Sequence, residues 1–383
     1  METTSVLEIS KSALKNNIRF LKSFFNGGTI ISSVVKANAY GHDITKYVPL
    51  AESEGLNHFS VFSTDEAREV LKSKTGNPTI MIMGWIDLAD LDWVIENNIE
   101  FYVYDIEKLE QSAKVAKKLR TKARIHVEVE TGLNRTGLKR RQFKKAASII
   151  KNNKDCLKIK GLCTHYAGAE SIANHVRVQR QITRYFNFYN WFFANEIMPE
   201  LRHTASSAAA LSYPRTRMDM VRIGILQYGF WPSPETQVQY FSKNKGAPDP
   251  LQRLITWKSR VMTVKNVNQG EFVSYGTAYF AHEKKRIAVI PVGYSHGYSR
   301  SLSNQGIVLI REHRVKVIGY VNMNMLIADV TSIPGVETGD EVVLIGSQGD
   351  FTISLAAFTD FSNQLNYELL TRLPANIPRI IVD

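Results

Sequence analysis

The sequence predicts an α/β plus β fold, in which an N-terminal (β/α)8 barrel of the TIM type is followed by a mainly-β C-terminal domain. Its 383 residues exceed what a single hydrophobic core usually supports. Apolar strand-like runs first alternate with helical patterns, and short strands then follow one another without helices. These observations place the barrel in residues 1–235 and the β domain in residues 236–383.

The barrel prediction depends on eight apolar runs. They span residues 30–37, 58–63, 79–84, 100–105, 124–130, 159–166, 201–206 and 220–225. Helical patterns lie between them, at residues 64–74, 88–98, 105–119, 140–153 and 174–196. Eight strands alternating with helices over about 200–250 residues are typical of a (β/α)8 barrel. A doubly wound sheet uses fewer strands, and no GxGxxG motif follows the first run.

The second domain is predicted from a change of pattern. Residues 233–250 form a polar stretch that contains Gly and Pro. Strand-like runs without intervening helices follow, at residues 253–267, 286–294, 306–321, 325–331 and 340–346. One helix-compatible segment, residues 354–373, closes the chain. This order predicts a compact β domain with one terminal helix.

Composition indicates a cytoplasmic globular protein. Hydrophobic residues make up 44% of the chain and charged residues 22%, as in soluble domains. No apolar run reaches the roughly 18 residues that cross a bilayer, and the first residues lack the pattern of a signal peptide. The two cysteines, Cys156 and Cys163, suit a reducing compartment. Their spacing does not indicate a metal site.

The net charge of +12 raises the question of a nucleic-acid partner. Much of this charge lies in two patches, residues 117–124 and 139–145. Both patches fall on segments with the pattern of amphipathic barrel helices, so we interpret them as solvated helix faces. We expect neither a nucleic-acid nor a membrane partner.

In (β/α)8 barrels the reacting side chains come from the C-terminal ends of the strands. The residues at these ends are Lys36, Arg135, His165, Ser206, Ser207 and Arg222, with Gly224 close by. Lys36 follows the apolar run of the first strand. An amine partly desolvated at such a position has a lowered pKa and forms a Schiff base readily. A lysine that reaches out to solvent is the structural alternative.

Donors for a phosphate group lie near the same strand ends. Tyr40 and Ser207 supply hydroxyls, and backbone N–H groups are available after Ser207 and at Gly224. A phosphate cradle opposite a lysine that forms a Schiff base is what pyridoxal 5'-phosphate requires. The sequence therefore predicts this cofactor.

Nine segments occur in order along the chain: VVKANAYGH, VEVETGLNRTG, THYAGAE, HTASSAAAL, VRIGILQYG, FVSYGTAY, IPVGYSHGYSR, GYVNMNMLIADV and LNYELLTRLP. In this order they resemble the motifs of the bacterial alanine racemases. The resemblance extends from about residue 5 to the C-terminus, and VVKANAYGH and VSYG are its most specific parts. It implies a fold-type-III enzyme that depends on pyridoxal phosphate, with a barrel and a C-terminal β domain.

The resemblance also implies two catalytic bases at a subunit interface. Lys36 resembles the lysine that binds the cofactor and acts on one face of the substrate Cα. Tyr275 resembles the base on the opposite face, which in this family reaches the barrel of the partner subunit. Racemisation needs two bases because one proton leaves one face and another arrives at the other. The implied assembly is a homodimer.

Further site residues follow from the same resemblance. His165 resembles the histidine that hydrogen-bonds the catalytic tyrosine, and Arg222 resembles the arginine that donates to the pyridine nitrogen. The implied cofactor-binding residues are Lys36, Tyr40, Arg135, His165, Ser207, Arg222, Gly224, Ile225 and Tyr367. The implied substrate-binding residues are Arg135, Tyr294 and Met323.

Two departures from the family pattern bear on substrate range more than on reaction type. Glu128 stands where many members have a lysine whose carbamylation supplies an anion. We expect Glu128 to hold Arg135 directly by a charge-assisted hydrogen bond. Asn322 and Asn324 flank Met323 where a cysteine and an aspartate are usual, which removes a negative charge near the substrate entrance.

The leading hypothesis is the racemisation of L-alanine to D-alanine for the supply of peptidoglycan. A racemase of broader range, acting on serine or lysine, is an alternative that Glu128 and Asn324 leave open. A non-catalytic carrier of the cofactor on the same barrel typically lacks the second domain. A related decarboxylase usually has a cysteine in place of Tyr275. A nucleic-acid-binding module rests on the net charge alone.

Overall fold

A computed structural model describes residues 3–26, 28–355 and 366–383 of the chain. The chain divides into two compact units. The barrel unit comprises Ala13–Ala39 and Tyr47–Gln252, and the β unit comprises the described residues of Met1–Ser12, Tyr40–Lys46 and Arg253–Asp383. The first strand, β1 (Ser5–Ser10), therefore belongs to the β unit although it precedes the barrel in the sequence.

The barrel sheet consists of eight parallel strands. They are β2 (Ile30–Val34), β3 (His58–Ser63), β4 (Thr79–Trp85), β5 (Glu100–Val103), β6 (Ala123–Glu128), β7 (Leu157–Cys163), β8 (Leu201–His203) and β9 (Met220–Ile223). Their order is β8-β7-β6-β5-β4-β3-β2-β9. Between β8 and β9 the sheet is nearly closed, by a bridge between Ser206 and Arg222. The predicted barrel of eight parallel strands is confirmed.

Helices separate these strands, and the amphipathic pattern explains which side each one buries. In sequence order they are α1 (Lys11–Phe24), the left-handed turn α2 (Lys36–Tyr40), α3 (Ile44–Ser53), α4 (Thr64–Ser73), α5 (Leu91–Glu96), α6 (Ile106–Leu119), α7 (Phe143–Asn152), α8 (His175–Ala194) and α9 (Ser207–Ser212). Helix α6 is typical: it buries Leu109, Ala113 and Ala116, and Asp105 caps it by accepting from the Lys108 N–H. Short 3-10 helices span Leu88–Asp90, Arg140–Gln142, Ile172–Asn174, Pro214–Thr216, Ile225–Tyr228, Tyr294–His296 and Arg300–Leu302.

One further helix, α10 (Pro234–Lys243), lies in the stretch that the sequence analysis interpreted as a polar separator. Its start has strong local signals. Ser233 Oγ accepts from the Thr236 N–H at 3.2 Å, and the Ser233 N–H donates to Thr236 Oγ1 at 3.1 Å. Proline at the first helical position favours the same conformation. The polar stretch of residues 233–250 therefore begins with a capped helix.

The β unit contains two sheets. Its further strands are β10 (Ile255–Arg260), β11 (Thr263–Val267), β12 (Lys285–Ile290), β13 (Ile307–Ile310), β14 (His313–Lys316), β15 (Leu326–Asp329), β16 (Glu341–Gln348), β17 (Phe351–Ile353) and β18 (Arg379–Val382). The larger sheet has the order β14-β13-β16-β10-β1-β18, with β17 paired to β16, and the smaller one has the order β11-β12-β15. Strands β1, β17 and β18 lie outside the predicted runs.

The predicted terminal helix, residues 354–373, lies partly outside the described residues. Within the described part, helix α11 spans Asn366–Arg372. None of the described helices combines the length and the apolar character needed to cross a bilayer.

Gly41, directly after the left-handed turn α2, provides a test of packing in the β unit. Its φ is +79°, and an added Cβ would lie 2.1 Å from the backbone oxygen of Leu370. We expect Gly41→Ala to lower the free energy of unfolding by about 3 kcal/mol or more, because both the backbone conformation and the space are unsuitable. Denaturant unfolding of the full chain measures this.

Gly270→Ala is the matched control. Gly270 also has a positive φ, +88°, but nothing lies within 4 Å of an added Cβ. It should cost only about 1 kcal/mol, from backbone strain alone. Equal losses in the two variants would show that the contact with Leu370 has no energetic weight.

Candidate active site

Lys36 lies where the first barrel strand ends. Strand β2 stops at Val34, and Lys36 opens the turn α2, whose next three residues have φ of 52–53°. Burial lowers the pKa of the Lys36 amine, the positive charge of Arg135 lowers it further, and the carboxylate of Glu66 opposes both. A larger fraction of this amine is therefore neutral at pH 7 than in a solvated lysine.

Arg222, on β9, is a buried guanidinium whose donors are fixed by backbone carbonyls. Nη1 donates to the carbonyl of His203 at 2.8 Å, and Nη2 donates to the carbonyls of Thr164 at 2.8 Å and Thr204 at 3.2 Å. Each acceptor belongs to β8 or to the segment just after β7 or β8. The orientation of the guanidinium is thus determined by the barrel backbone itself.

A chain of buried hydrogen bonds extends from Arg222 to Glu100 on β5. Glu100 Oε2 lies 2.8 Å from His126 Nε2, His126 Nδ1 lies 2.8 Å from His203 Nε2, and His203 Nδ1 lies 2.7 Å from Arg222 Nη1. We call this set the relay. Among the described residues no three His, Cys, Asp or Glu side chains are arranged to hold a metal ion.

Glu100 at one end of the relay only accepts hydrogen bonds and Arg222 at the other end only donates them, which determines the protonation of the two histidines between them. Burial disfavours the charged form of Glu100, but hydrogen bonds from His126 and His58 outweigh burial and hold the pKa of Glu100 well below its usual range. Burial also lowers the pKa of His126 and of His203, so both rings are neutral. Glu100 accepts from His126 Nε2–H, leaving His126 Nδ1 to accept from His203 Nε2–H. His203 Nδ1 then accepts from Arg222.

His165 and Arg135 are held by segments that follow β7 and β6. Burial, followed by the positive charges of Arg222, Arg135 and Lys36, lowers the pKa of His165 to about 3. His165 is therefore neutral at pH 7. The loop before Arg135 is tied down by Glu130, which accepts from the Asn134 N–H at 2.8 Å. Lys36, Arg135 and Arg222 thus lie close enough to His165, within the barrel unit, for their positive charges to lower its pKa.

Glu128, at the end of β6, is placed differently from our expectation. It is buried, and its hydrogen-bond partner is Thr136. Among the described residues Glu128 forms no ion pair with Arg135. Burial raises the pKa of Glu128, and Thr136, Arg222 and Arg135 oppose that effect. The hydroxyl next to Arg135 takes the position that we had assigned to the guanidinium, so Arg135 acts on Glu128 through charge.

Two of the residues predicted to bind a phosphate, Ser207 and Gly224, contact each other in the barrel unit. Ser207 is buried at the start of α9, and its Oγ accepts from the Gly224 N–H at 3.0 Å. Ile225 follows Gly224 and opens a 3-10 helix. A hydroxyl after β8 and a backbone turn after β9 therefore meet, as the common mouth of a parallel barrel allows.

The other predicted site residues belong to the β unit. The rings of Tyr40 and Tyr367 lie 6.1 Å apart between centroids. Tyr275, Tyr294 and Met323 are 72%, 43% and 57% exposed. They lie on neighbouring segments, because Ser274 Oγ donates to the Tyr320 carbonyl at 2.9 Å and the Tyr294 N–H donates to the Asn322 carbonyl at 3.0 Å.

The sequence analysis missed Glu66 and most of the relay. His203 lies within the quoted segment HTASSAAAL at a strand end, so its position was a usable signal. Glu100 begins an apolar run, where an acid is uncommon unless it is paired. Glu66 lies in the first turn of a helix, where acids are frequent, and therefore carried no signal.

Comparison with known proteins agrees with this architecture. The family model for the N-terminal domain of alanine racemases matches residues 9–232, and the model for the C-terminal domain matches residues 254–381. The alanine racemase of Leptospira interrogans is 30% identical over 384 residues, covering 99% of this chain and 96% of that protein. The alanine racemase of Methanococcus maripaludis is 32% identical over 375 residues, covering 97% of each.

Solved structures agree as well. The crystal structure of alanine racemase from Streptomyces lavendulae superposes with a TM-score of 0.91 at 26% identity, covering 100% of this chain and 98% of that one. The fold and these matches define a two-domain isomerase built on a (β/α)8 barrel. The chain belongs to the alanine racemase family.

The buried neutral histidines predict a loss of stability in acid. The unfolded chain binds protons near pH 6.5 at each histidine, whereas His126, His165 and His203 resist protonation in the fold. The free energy of unfolding should therefore fall as the pH drops from about 6.5 towards 3, by up to about 1.4 kcal/mol per pH unit for each histidine. Urea unfolding at a series of pH values measures this slope.

His165→Gln should make the slope shallower, because one proton-binding difference is removed. His313→Gln, at an exposed position, is the control and should leave the slope unchanged. An unaltered slope in His165→Gln would contradict the assignment of a neutral, proton-resisting ring to His165.

Proposed function

We propose that this chain interconverts L- and D-alanine with pyridoxal 5'-phosphate as cofactor, and that it acts as a homodimer. The observation that carries the proposal is the position of Lys36: a buried amine with a lowered pKa, at the end of a barrel strand, in a chain of the alanine racemase family. This family depends on pyridoxal phosphate.

The donor set fits such a cofactor. The Ser207 hydroxyl, whose oxygen accepts from the Gly224 N–H, keeps its own proton to donate to a phosphate, and Lys36 offers an amine. The residues that would hold the cofactor are Lys36, Tyr40, Arg135, His165, Ser207, Arg222, Gly224, Ile225 and Tyr367. When bound, pyridoxal phosphate withdraws electrons from the substrate and so makes its Cα proton acidic.

Lys36 would move the proton on one face of the Cα. A lowered pKa leaves its nitrogen able to accept a proton near neutral pH. Arg135 stands close enough to influence this amine and has the fork of donors that binds a carboxylate. The same guanidinium would thus orient the carboxylate of the amino acid and keep the lysine from being protonated too readily.

Arg222 would donate a hydrogen bond to the ring of the cofactor without transferring a proton to it. A guanidinium does not lose its proton in proteins, and the relay fixes the direction in which its N–H groups point. Such a group stabilises a neighbouring lone pair by donating a hydrogen bond. It does not transfer the proton, and this limits how far charge can be drawn into the ring of the cofactor.

Tyr275 would serve the opposite face, from the partner subunit. Its side chain belongs to a group of exposed aromatic and methionine residues on the β unit, which is unusual for a surface that stays in water. The members of this group are Phe272, Tyr275, Phe280, Tyr294, Tyr320, Met323 and Met325. A second copy of the chain would cover them and would place the phenol at the partner's barrel.

We further propose that the product D-alanine supplies peptidoglycan and that the enzyme works in the cytoplasm. A racemase of broader range is the second candidate. Asn324 is neutral where the family usually has an aspartate, and it adjoins the exposed Met323, which we assign to substrate binding. Ser295 Oγ contacts Asn324 Oδ1 at 2.7 Å and donates to the Met323 carbonyl at 2.7 Å, which fixes this neutral segment. Chiral chromatography after incubation with alanine, serine and lysine separates the two candidates.

Mixing of two inactive variants tests the shared site. Lys36→Ala and Tyr275→Phe should each lose roughly 10²–10⁴-fold in turnover, since each removes one base. A mixed dimer joins the intact Lys36 of one chain to the intact Tyr275 of the other. Random exchange of subunits should restore about a quarter of wild-type turnover.

The readout is racemisation of alanine, with deuterium incorporated at Cα from heavy water. Each variant mixed with itself is the control. If mass spectrometry shows that mixed dimers have formed but turnover does not recover, the assignment of Tyr275 to the partner's site is overturned. Turnover of none of the three amino acids by wild type would overturn the proposed function itself.

A further inference from the structure

The turn that presents Lys36 is strained. Ala37, Asn38 and Ala39 all have left-handed backbone conformations, with φ of 53°, 52° and 53°. For residues other than glycine this conformation costs roughly 1–2 kcal/mol each. Such a segment persists only where neighbouring groups hold it.

Glu66 is placed to hold this turn. It lies in the first turn of α4, just after β3. Its Oε1 accepts from the Ala37 N–H at 2.5 Å, and its Oε2 accepts from the Phe62 N–H at 2.7 Å. One carboxylate therefore connects the residue after Lys36 to the end of the neighbouring strand.

These two hydrogen bonds continue the pairing of β2 with β3 beyond the point where the strands separate. The strand register pairs Val34 with Ser60, and the Val35 N–H still donates to the Ser60 carbonyl at 2.9 Å. The backbone then turns away, and the carboxylate takes over as acceptor. The carboxylate thus bridges the ends of β2 and β3 beyond their last backbone hydrogen bond.

We propose that Glu66 is a positioning residue for Lys36: its carboxylate holds the left-handed turn in place and sets a negative charge beside the amine. The proposal rests on the role given to Lys36 above. An acid in the first turn of α4 is also supplied by Asp65, whose side chain is exposed to solvent. The two hydrogen bonds of Glu66 are therefore more than the start of this helix requires.

The charge of Glu66 has a defined direction of effect. The charged and titratable groups that face Lys36 are Arg135, Glu66 and the neutral His165. Burial and Arg135 lower the pKa of Lys36, and Glu66 opposes them. Removal of the negative charge should therefore lower the pKa of Lys36 further.

Labelling of Lys36 tests the charge. The full chain, freed of cofactor, is treated briefly with acetic anhydride at a series of pH values, and the peptide containing Lys36 is quantified by mass spectrometry. Below the titration midpoint, Glu66→Gln should be labelled roughly threefold or more faster than wild type. Asp65→Asn makes the same charge change one residue away and should match wild type.

Hydrogen exchange of the protein as purified tests the hydrogen bonds. Glu66→Ala removes both acceptors, so the amides of Ala37 and Phe62 should exchange faster than in wild type and in Asp65→Ala. If Glu66→Gln were labelled like wild type and Glu66→Ala left exchange at both amides unchanged, the positioning role would be refuted. Neither readout uses turnover, so the result is independent of the Lys36→Ala and Tyr275→Phe experiments.

Discussion

Arg222 carries a permanent positive charge into the interior of the barrel, and the arrangement of its neighbours follows from that fact. A guanidinium does not escape burial by losing its proton, and an uncompensated buried charge costs several kcal/mol. Three backbone carbonyls accept its hydrogen bonds, and the relay connects it to the ionised Glu100. The compensation is distributed over four strands of the sheet.

The same charge determines protonation around it. His165 and His203 stay neutral partly because a second positive charge beside Arg222 would be repelled. A neutral His203 accepts from the guanidinium, which fixes the hydrogen-bond direction along the whole relay. The site thus combines a rigid cation with neutral rings and a readily deprotonated lysine. This combination suits proton transfer at carbon, since the groups that hold charge do not compete for the proton.

The barrel was predictable because each of its strands is a local apolar run, and a parallel barrel brings all strand ends to one mouth. That reasoning placed Lys36, Arg222, Ser207 and Gly224 at strand ends, but it did not foresee that Ser207 and Gly224 contact each other. It did not locate Glu100 or the partner of Glu128, because side-chain direction inside a barrel depends on tilt and register. The pairing of β1 was hidden for a different reason: its partners lie about 250 and 370 residues away.

Strand β1 lies between β10 and β18, antiparallel to β10 and parallel to β18. An interior strand completes its pairing only when both of its neighbours exist. During synthesis the ribosome releases β1 first and β18 last, so the barrel can close while the β unit still lacks a central element. One edge of residues 5–10 can pair only after residues 255–260 have been made, and the other only after residues 379–382. Shortening the protein at either end would remove one side of the same seam.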